Sequence, residues 1–216
     1  MTHWKTALLL LSLTIFLAAC VGEDAFQGTE LTARAYATAF ELVSETGQTV
    51  TLANYDGKIV LLTFLYTTCT DLCPAVTADL RDAHGLLGDL SEDVAFVVIS
   101  VDPARDTVES AREYSDRWGM TDKWDFLVGD DEALSRLWAA YYIDPVADIG
   151  SDDGEEESGS DQHRESSALD RLVEDSYLIT HSAPVYLIDR DGVRRILFTP
   201  PFEPEALAHD IRLLAD

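Results

Sequence analysis

Two cysteines, Cys69 and Cys73, stand four positions apart in the stretch TFLYTTCTDLCPAVTADL, Thr63 to Leu80. Sulfurs at that spacing can form a structural bridge, a redox couple or two ligands of a metal ion. A bridge that closes a loop of only a few residues removes little chain entropy, so a structural role is weakly favoured and a chemical one is expected. Thiolates are soft ligands that select Cu(I), zinc or iron–sulfur clusters. Two cysteines cannot hold a cluster that demands four. Thiol exchange, zinc and copper remain open. Pro74 suits the first position of a helix, where a missing N–H costs nothing. Cys73 would then sit at the helix mouth, whose partial positive charge favours an anion, and is expected to ionise more easily than an ordinary thiol.

The elements around this loop alternate. AFELVSETGQTVTL reads as two short strands turning at Gly47. KIVLLTFLY, Lys58 to Tyr66, and VAFVVISVD, Val94 to Asp102, are nearly continuous apolar runs of β type, as strands buried on both faces should be. Between them PAVTADLRDAHGLLG spaces Val76, Leu80, Ala83 and Leu87 at helical intervals and stops at Gly88. DTVESAREYSDRWG is a predicted helix capped by Asp106 or Thr107 and ended by Gly119. A short strand WDFLVG, a helix DEALSRLWAAYYI, a hairpin APVYLIDRDGVRRILFTP turning at RDG, and the helix EPEALAHDIRLLAD complete the order. This alternation predicts a largely parallel sheet covered on both faces. With its closing hairpin and helix it points to an α/β, thioredoxin-like fold: a central mixed sheet flanked by helices, an N-terminal β-hairpin extension and an acidic loop insert. The CxxxC would lie beyond the carboxyl end of a central strand, the edge where open α/β sheets carry ligand chemistry.

Composition narrows the function. Forty acidic against fifteen basic residues give a formal charge of −25, which excludes nucleic acid as a natural partner, since phosphate binding needs a basic surface. Lys5 is followed by the apolar run TALLLLSLTIFLAA, short for a membrane span, and then by Cys20 after two small alanines. Residues 1–19 are therefore expected to be a secretion signal, and LAAC resembles a bacterial lipobox, which implies cleavage before Cys20 and lipid attachment to its sulfur. Residues 20–35 would form a tether, and residues 36–216 a domain held at the extracytoplasmic face of the membrane. The stretch from 144 to 175 is acidic and poor in core formers, a flexible solvated insert by composition.

A third ligand would separate the chemistries left open for the sulfurs. Of the five histidines, His3 lies in the signal, His84 and His209 on helices, and His163 in the acidic insert, where a solvated imidazole is the default. His181, in YLITHSAPVYLID, approaches an apolar strand. In a thioredoxin-like sheet the loop before that strand faces the cysteine loop, so His181 is the candidate.

At this point the chain resembles the Sco/SenC family, thioredoxin-fold copper-binding factors for cytochrome c oxidase assembly. The resemblance is carried by FQGTEL, LYTTCTDLCP, VISVDPARDT and YLITHS…YLIDRDG, in that order and spread over most of the chain. It implies that Cys69, Cys73 and His181 bind one copper ion, Cu(I) or Cu(II), and that the copper passes to the dinuclear copper site in the oxidase's copper-bearing subunit. Two thiolates and an imidazole suit copper, whereas structural zinc takes four protein ligands. Asp71 would polarise or orient the loop, or else cap the helix. Asp106 is expected to cap the next helix, and Asp102 is left between capping and orienting the site. Two positions depart from the family pattern: Thr70 stands where a proline is common, and Thr180 where an aspartate is common. Pro184 stands where thiol oxidoreductases of this fold have a cis-proline. That keeps a second reading open, a membrane-tethered thiol–disulfide reductase working through Cys69 and Cys73. A thiol peroxidase is a third and weaker reading, because no proline and threonine precede Cys69 at the spacing such sites use.

Overall fold

The computed structural model describes residues 25–148, 178–180 and 182–216. The signal, Cys20, most of the acidic insert with His163, and His181 lie outside the described residues.

Two strands organise the fold. β4 (Ile59–Leu65) and β5 (Val94–Ser100) are buried at every position, because both of their faces are covered and only apolar or small side chains fit. They run parallel in register from Ile59 opposite Val94 to Leu65 opposite Ser100, so both chains leave the sheet at the same level. Around them lie β1 (Thr29–Glu30), β2 (Glu41–Ser44), β3 (Thr49–Thr51), β6 (Asp125–Val128), β9 (Val185–Ile188) and β10 (Arg194–Phe198). The sheet order is β1-β10-β9-β4-β5-β6-β2-β3. Only the pairings β4–β5 and β5–β6 are parallel; the others are antiparallel. The sheet is thus mixed, as the hairpins required, and much less parallel than the βα alternation alone implied.

Among the described residues four α-helices cover it: α1 (Leu72–Leu87), α2 (Val108–Trp118), α3 (Asp131–Ala140) and α4 (Pro204–Ala215). His84 of α1 meets Phe96 edge-on, and Tyr114 of α2 meets Phe126, so both helices lie over one face. α4 packs along α1 on that side. On the other face, Tyr141 at the end of α3 packs on Phe64 and Tyr186.

The expected N-terminal hairpin is present and extends the main sheet, because β2 pairs with β6. Two expectations change. The tether read into residues 20–35 is part of the fold from Gln27 onward. β1 pairs with β10, and the buried Asp210 carboxylate accepts from the backbone N–H groups of Gln27 and Gly28, each at 2.8 Å. Gly28 is required there, since a Cβ would stand 2.5 Å from Ile196 Cγ2. Finally, the expected insert starts inside an ordered element. β7 (Val146–Asp148) pairs antiparallel with β8 (Leu178–Thr180), a small ribbon that closes its two ends together.

Asp210→Ala should leave the Gln27 and Gly28 amides without their acceptor. The expected cost is about 2 kcal/mol by chemical denaturation, with faster hydrogen exchange at those two amides.

Glu45 offers a pH test. It is buried, and its Oε2 accepts from the Phe126 N–H at 2.8 Å. Burial raises its carboxyl above the ordinary 4.5, with nearby Asp125 and Asp122 adding to the effect. A raised folded value means the stabilising contribution is complete below the unfolded value and is lost as pH rises through the folded one. Glu45→Gln, which never ionises, should therefore gain in melting temperature over the parent as pH goes from about 4 to about 7. A constant difference between the two curves would contradict this account.

Candidate metal centre

The equal ends of β4 and β5 bring two loops together. The chain leaving β4 carries Tyr66, Thr67 and the cysteines; the chain leaving β5 carries Val101, Asp102 and Asp106. The Val101 N–H donates to the Leu65 carbonyl at 3.0 Å, continuing the ladder one step past the strands. The buried Asp106 carboxylate joins the loops. Its Oδ1 accepts from the Thr67 N–H at 3.0 Å and the Thr67 hydroxyl at 2.6 Å, and its Oδ2 accepts from the Ser100 hydroxyl at 2.6 Å. Burial raises its carboxyl above the usual carboxylate range despite those three bonds. The cap of α2 is Thr107, whose hydroxyl accepts from the Ser110 N–H. The expectation that Asp106 caps this helix is therefore wrong. An acid just before a helix looks like a cap in sequence, but this one points inward across the sheet edge.

Asp102 is also buried. It pairs with Arg105 in a salt bridge, and the Arg105 guanidinium lies 5.8 Å from the centre of the Tyr66 ring. Asp102 therefore touches the site through Arg105 and Tyr66. Sequence reasoning missed both intermediaries, and it also missed Thr67. Tyr66 carries a faint signal, a hydroxyl at the end of a nearly continuous apolar buried run.

Helix α1 begins two residues earlier than Pro74 implied. Leu72 is its first residue, Cys73 its second and Pro74 its third; the Leu72 and Cys73 N–H groups lack an intrahelical partner, and Pro74 has no N–H to satisfy. Asp71 occupies the N-cap position, but its carboxylate makes no capping bond. Its backbone N–H instead donates to the Cys69 sulfur. The Cys73 N–H does the same at 3.4 Å, so the positive end of the helix is aimed at Cys69.

This inverts the expected chemistry of the pair. Cys73 is wholly buried; Cys69 is half-exposed; both are free thiols. The Cys73 thiol donates to the Cys69 sulfur, and the two backbone N–H groups and the Tyr66 hydroxyl add to it, so the Cys69 thiol is pulled down to about 5. Cys73 is pushed far up by that same bond, by burial and by the Cys69 charge. One proton serves the pair, and it stays on the buried sulfur. The helix N-terminus does favour a thiolate, but at Cys69.

Tyr66 also reaches the chain ahead of His181. Its hydroxyl accepts from the Ile179 N–H at 3.2 Å and donates to the Ile179 carbonyl at 3.3 Å. On the other flank, the Thr63 hydroxyl donates to the Pro184 carbonyl at 3.0 Å. Both anchors belong to β4 or its immediate continuation. The Ala183–Pro184 bond is trans, although Pro184 stands where thiol oxidoreductases of this fold have a cis-proline; among the described residues the cis bond is Pro200–Pro201. Among the described residues no group of three Cys, His, Asp or Glu side chains could hold a metal, and His181 is not one of them. His84 and His209 are elsewhere, His84 against Phe96 and His209 beside Asp210. A cleft of about 610 Å3 opens at the opposite end of the strands, lined by Glu45, Tyr55 and Lys123, and no expected site residue borders it.

Known proteins bear on this arrangement. Protein SenC of Rhodobacter capsulatus is 38% identical over 107 residues, 48% of this chain and 48% of that protein. The SCO1 protein homologue of Bacillus subtilis is 28% identical over 116 residues, 53% of this chain and 58% of that one. This chain thus spans about half the length of these curated relatives. The structure of Bradyrhizobium japonicum ScoI with copper bound superposes with a TM-score of 0.64 at 26% identity, covering 82% of this chain and 98% of that one. The fold is therefore the thioredoxin-like one of Sco proteins. The SCO1/SenC family model matches residues 28–216, from the first residues held by Asp210 through α4, and the chain belongs to the SCO1/SenC family.

Proposed function

We propose that this chain binds one copper ion through Cys69, Cys73 and His181 and delivers it to the dinuclear copper site of cytochrome c oxidase. The observation that carries the reading is the anchoring of both flanks of His181, Ile179 and Pro184, to the strand that ends in the thiol loop. That geometry supports the return of a distant imidazole to the two sulfurs. The donor chemistry fits. One sulfur is already a thiolate near neutral pH and half-open to solvent, a second lies beside it, and both are soft. Copper is the cargo here, and a half-open thiolate can hand it on by ligand exchange with a receiving thiolate. The copper-bound relative ScoI supports the choice of metal. Asp71 contributes through its backbone N–H to Cys69, and Asp102 through Arg105. Lipid attachment at Cys20 and a place at the extracytoplasmic membrane face belong to the same proposal. No described helix is long and apolar enough to cross a membrane.

The expected result is an intense thiolate-to-copper charge-transfer band on Cu(II) addition, lost in Cys69→Ser, Cys73→Ser and His181→Ala. Oxidase assembly should fail in His181→Ala while thiol exchange survives. A His181→Ala protein that keeps both the band and assembly would overturn the copper reading.

The second reading, thiol–disulfide reductase, is favoured by one observation: an accessible low-pKa sulfur paired with a buried protonated one suits attack by Cys69 and resolution by Cys73. Its pH dependence follows from the Cys69 shift. A depressed value means the thiolate is present above about pH 5 and is lost as pH falls through it. Iodoacetamide should label Cys69 in the metal-free protein with a midpoint near pH 5, and leave Cys73 unlabelled. Cys73→Ala removes the largest cause of the shift, so the midpoint should move up towards that of an ordinary thiol.

A further inference from the structure

Tyr66 stands where β4 has just ended, and its ring is 2% exposed. A phenylalanine would fill that volume without a polar atom to satisfy. The hydroxyl is fully used instead. It accepts from the Ile179 N–H, donates to the Ile179 carbonyl, and has the Cys69 sulfur as a second acceptor for its one proton. The ring cannot swing away, because it is buried, Arg105 lies over it, and Asp102 holds Arg105 in place. Ile179 itself is buried in β8, two residues ahead of His181. Three segments distant in sequence therefore meet at one phenolic oxygen or its ring: the thiol loop, the loop after β5, and the ribbon strand leading to the histidine.

We infer that Tyr66 is a positioning residue, a latch that holds the strand leading to His181 beside the thiol loop through its hydroxyl. This role rests on the copper reading for its functional meaning, and on the Ile179 bonds alone for its structural part. Thr63 holds the far flank through the Pro184 carbonyl, so the chain from 179 to 184 is pinned at both ends. Of the two pins, Tyr66 is the one that also contacts a sulfur. It should set the approach of the imidazole more than the affinity of the thiol pair.

The test is Tyr66→Phe, which keeps the ring and its stacking and removes only the oxygen. In the metal-free protein, hydrogen exchange at the Ile179 amide should quicken about tenfold, the effect of losing one buried hydrogen bond, while amides in β4 and β5 are unchanged. In a Cu(II) titration the charge-transfer band should shift and the dissociation constant should rise about tenfold. On a His181→Ala background most of that increase should vanish, because the two residues act as one unit. If Tyr66→Phe weakens copper binding equally on both backgrounds, the hydroxyl acts on the thiols and the latch is overturned. Unchanged exchange at Ile179 also overturns it. A parent protein that takes up no copper would sink the copper reading, and the Ile179 exchange would still decide the latch.

Discussion

The Asp106 carboxylate is the interaction on which the candidate centre depends. It closes the gap between the chain leaving β4 and the chain leaving β5 with three hydrogen bonds, two to Thr67 and one to Ser100. Taking a carboxylate out of water costs several kcal/mol, and hydrogen bonds to a charged group return about 1.5–3 kcal/mol each. The two are close in size, and the carboxyl is shifted upward because burial, with the nearby Asp102 adding to it, outweighs the hydrogen bonds. The result is a tie whose cost is met only when all three partners are in place, which is a condition for defined geometry. Ser100 is itself fixed: its hydroxyl accepts from the Asp102 N–H, and its carbonyl accepts from the Trp138 indole on α3.

From that tie the rest of the centre follows by short steps. Thr67 is held, so Tyr66 and Cys69 on either side of it have little freedom. Cys69 then receives the N–H groups that open α1, together with the Cys73 thiol, and becomes the thiolate of the pair. Tyr66 carries the connection outward to Ile179. Electrostatics divides the labour between two chemically identical side chains. The half-exposed sulfur is charged and the buried sulfur keeps its proton, because only the first has donors aimed at it from several directions.

Such a centre suits both metal binding and thiol exchange, and this is physical overlap rather than ambiguity. A soft metal and a partner disulfide need the same thing from the protein, an accessible thiolate with a second sulfur close by. The imidazole is what separates the two, since exchange does not require it. The chain on both sides of His181 is pinned to β4 at the cost of two buried hydroxyls, Thr63 and Tyr66. Simple packing of a strand would need neither.

Much of this was legible from the residues in order. Apolar runs marked β4 and β5 because strands covered on both faces have no room for a polar side chain without a buried partner, and Gly47, Gly88, Gly119 and Gly192 ended or turned elements where φ is positive. The CxxxC was visible because spacing along one loop is a local property. What stayed hidden was non-local. The sequence could not say that Asp106 points across to Thr67 rather than along to its own helix, that the N-terminal hairpin joins the sheet beside β6, or that residues 27 and 28 are held by Asp210. Nor could it assign the thiolate, because the charge of each sulfur depends on burial and on donors from Tyr66, Asp71 and Cys73 whose directions exist only after α1 has started at Leu72. Residue type and local spacing determine which groups are available and which elements form. The tertiary structure decides which of those groups face one another, and in a low-dielectric interior that facing sets their charge.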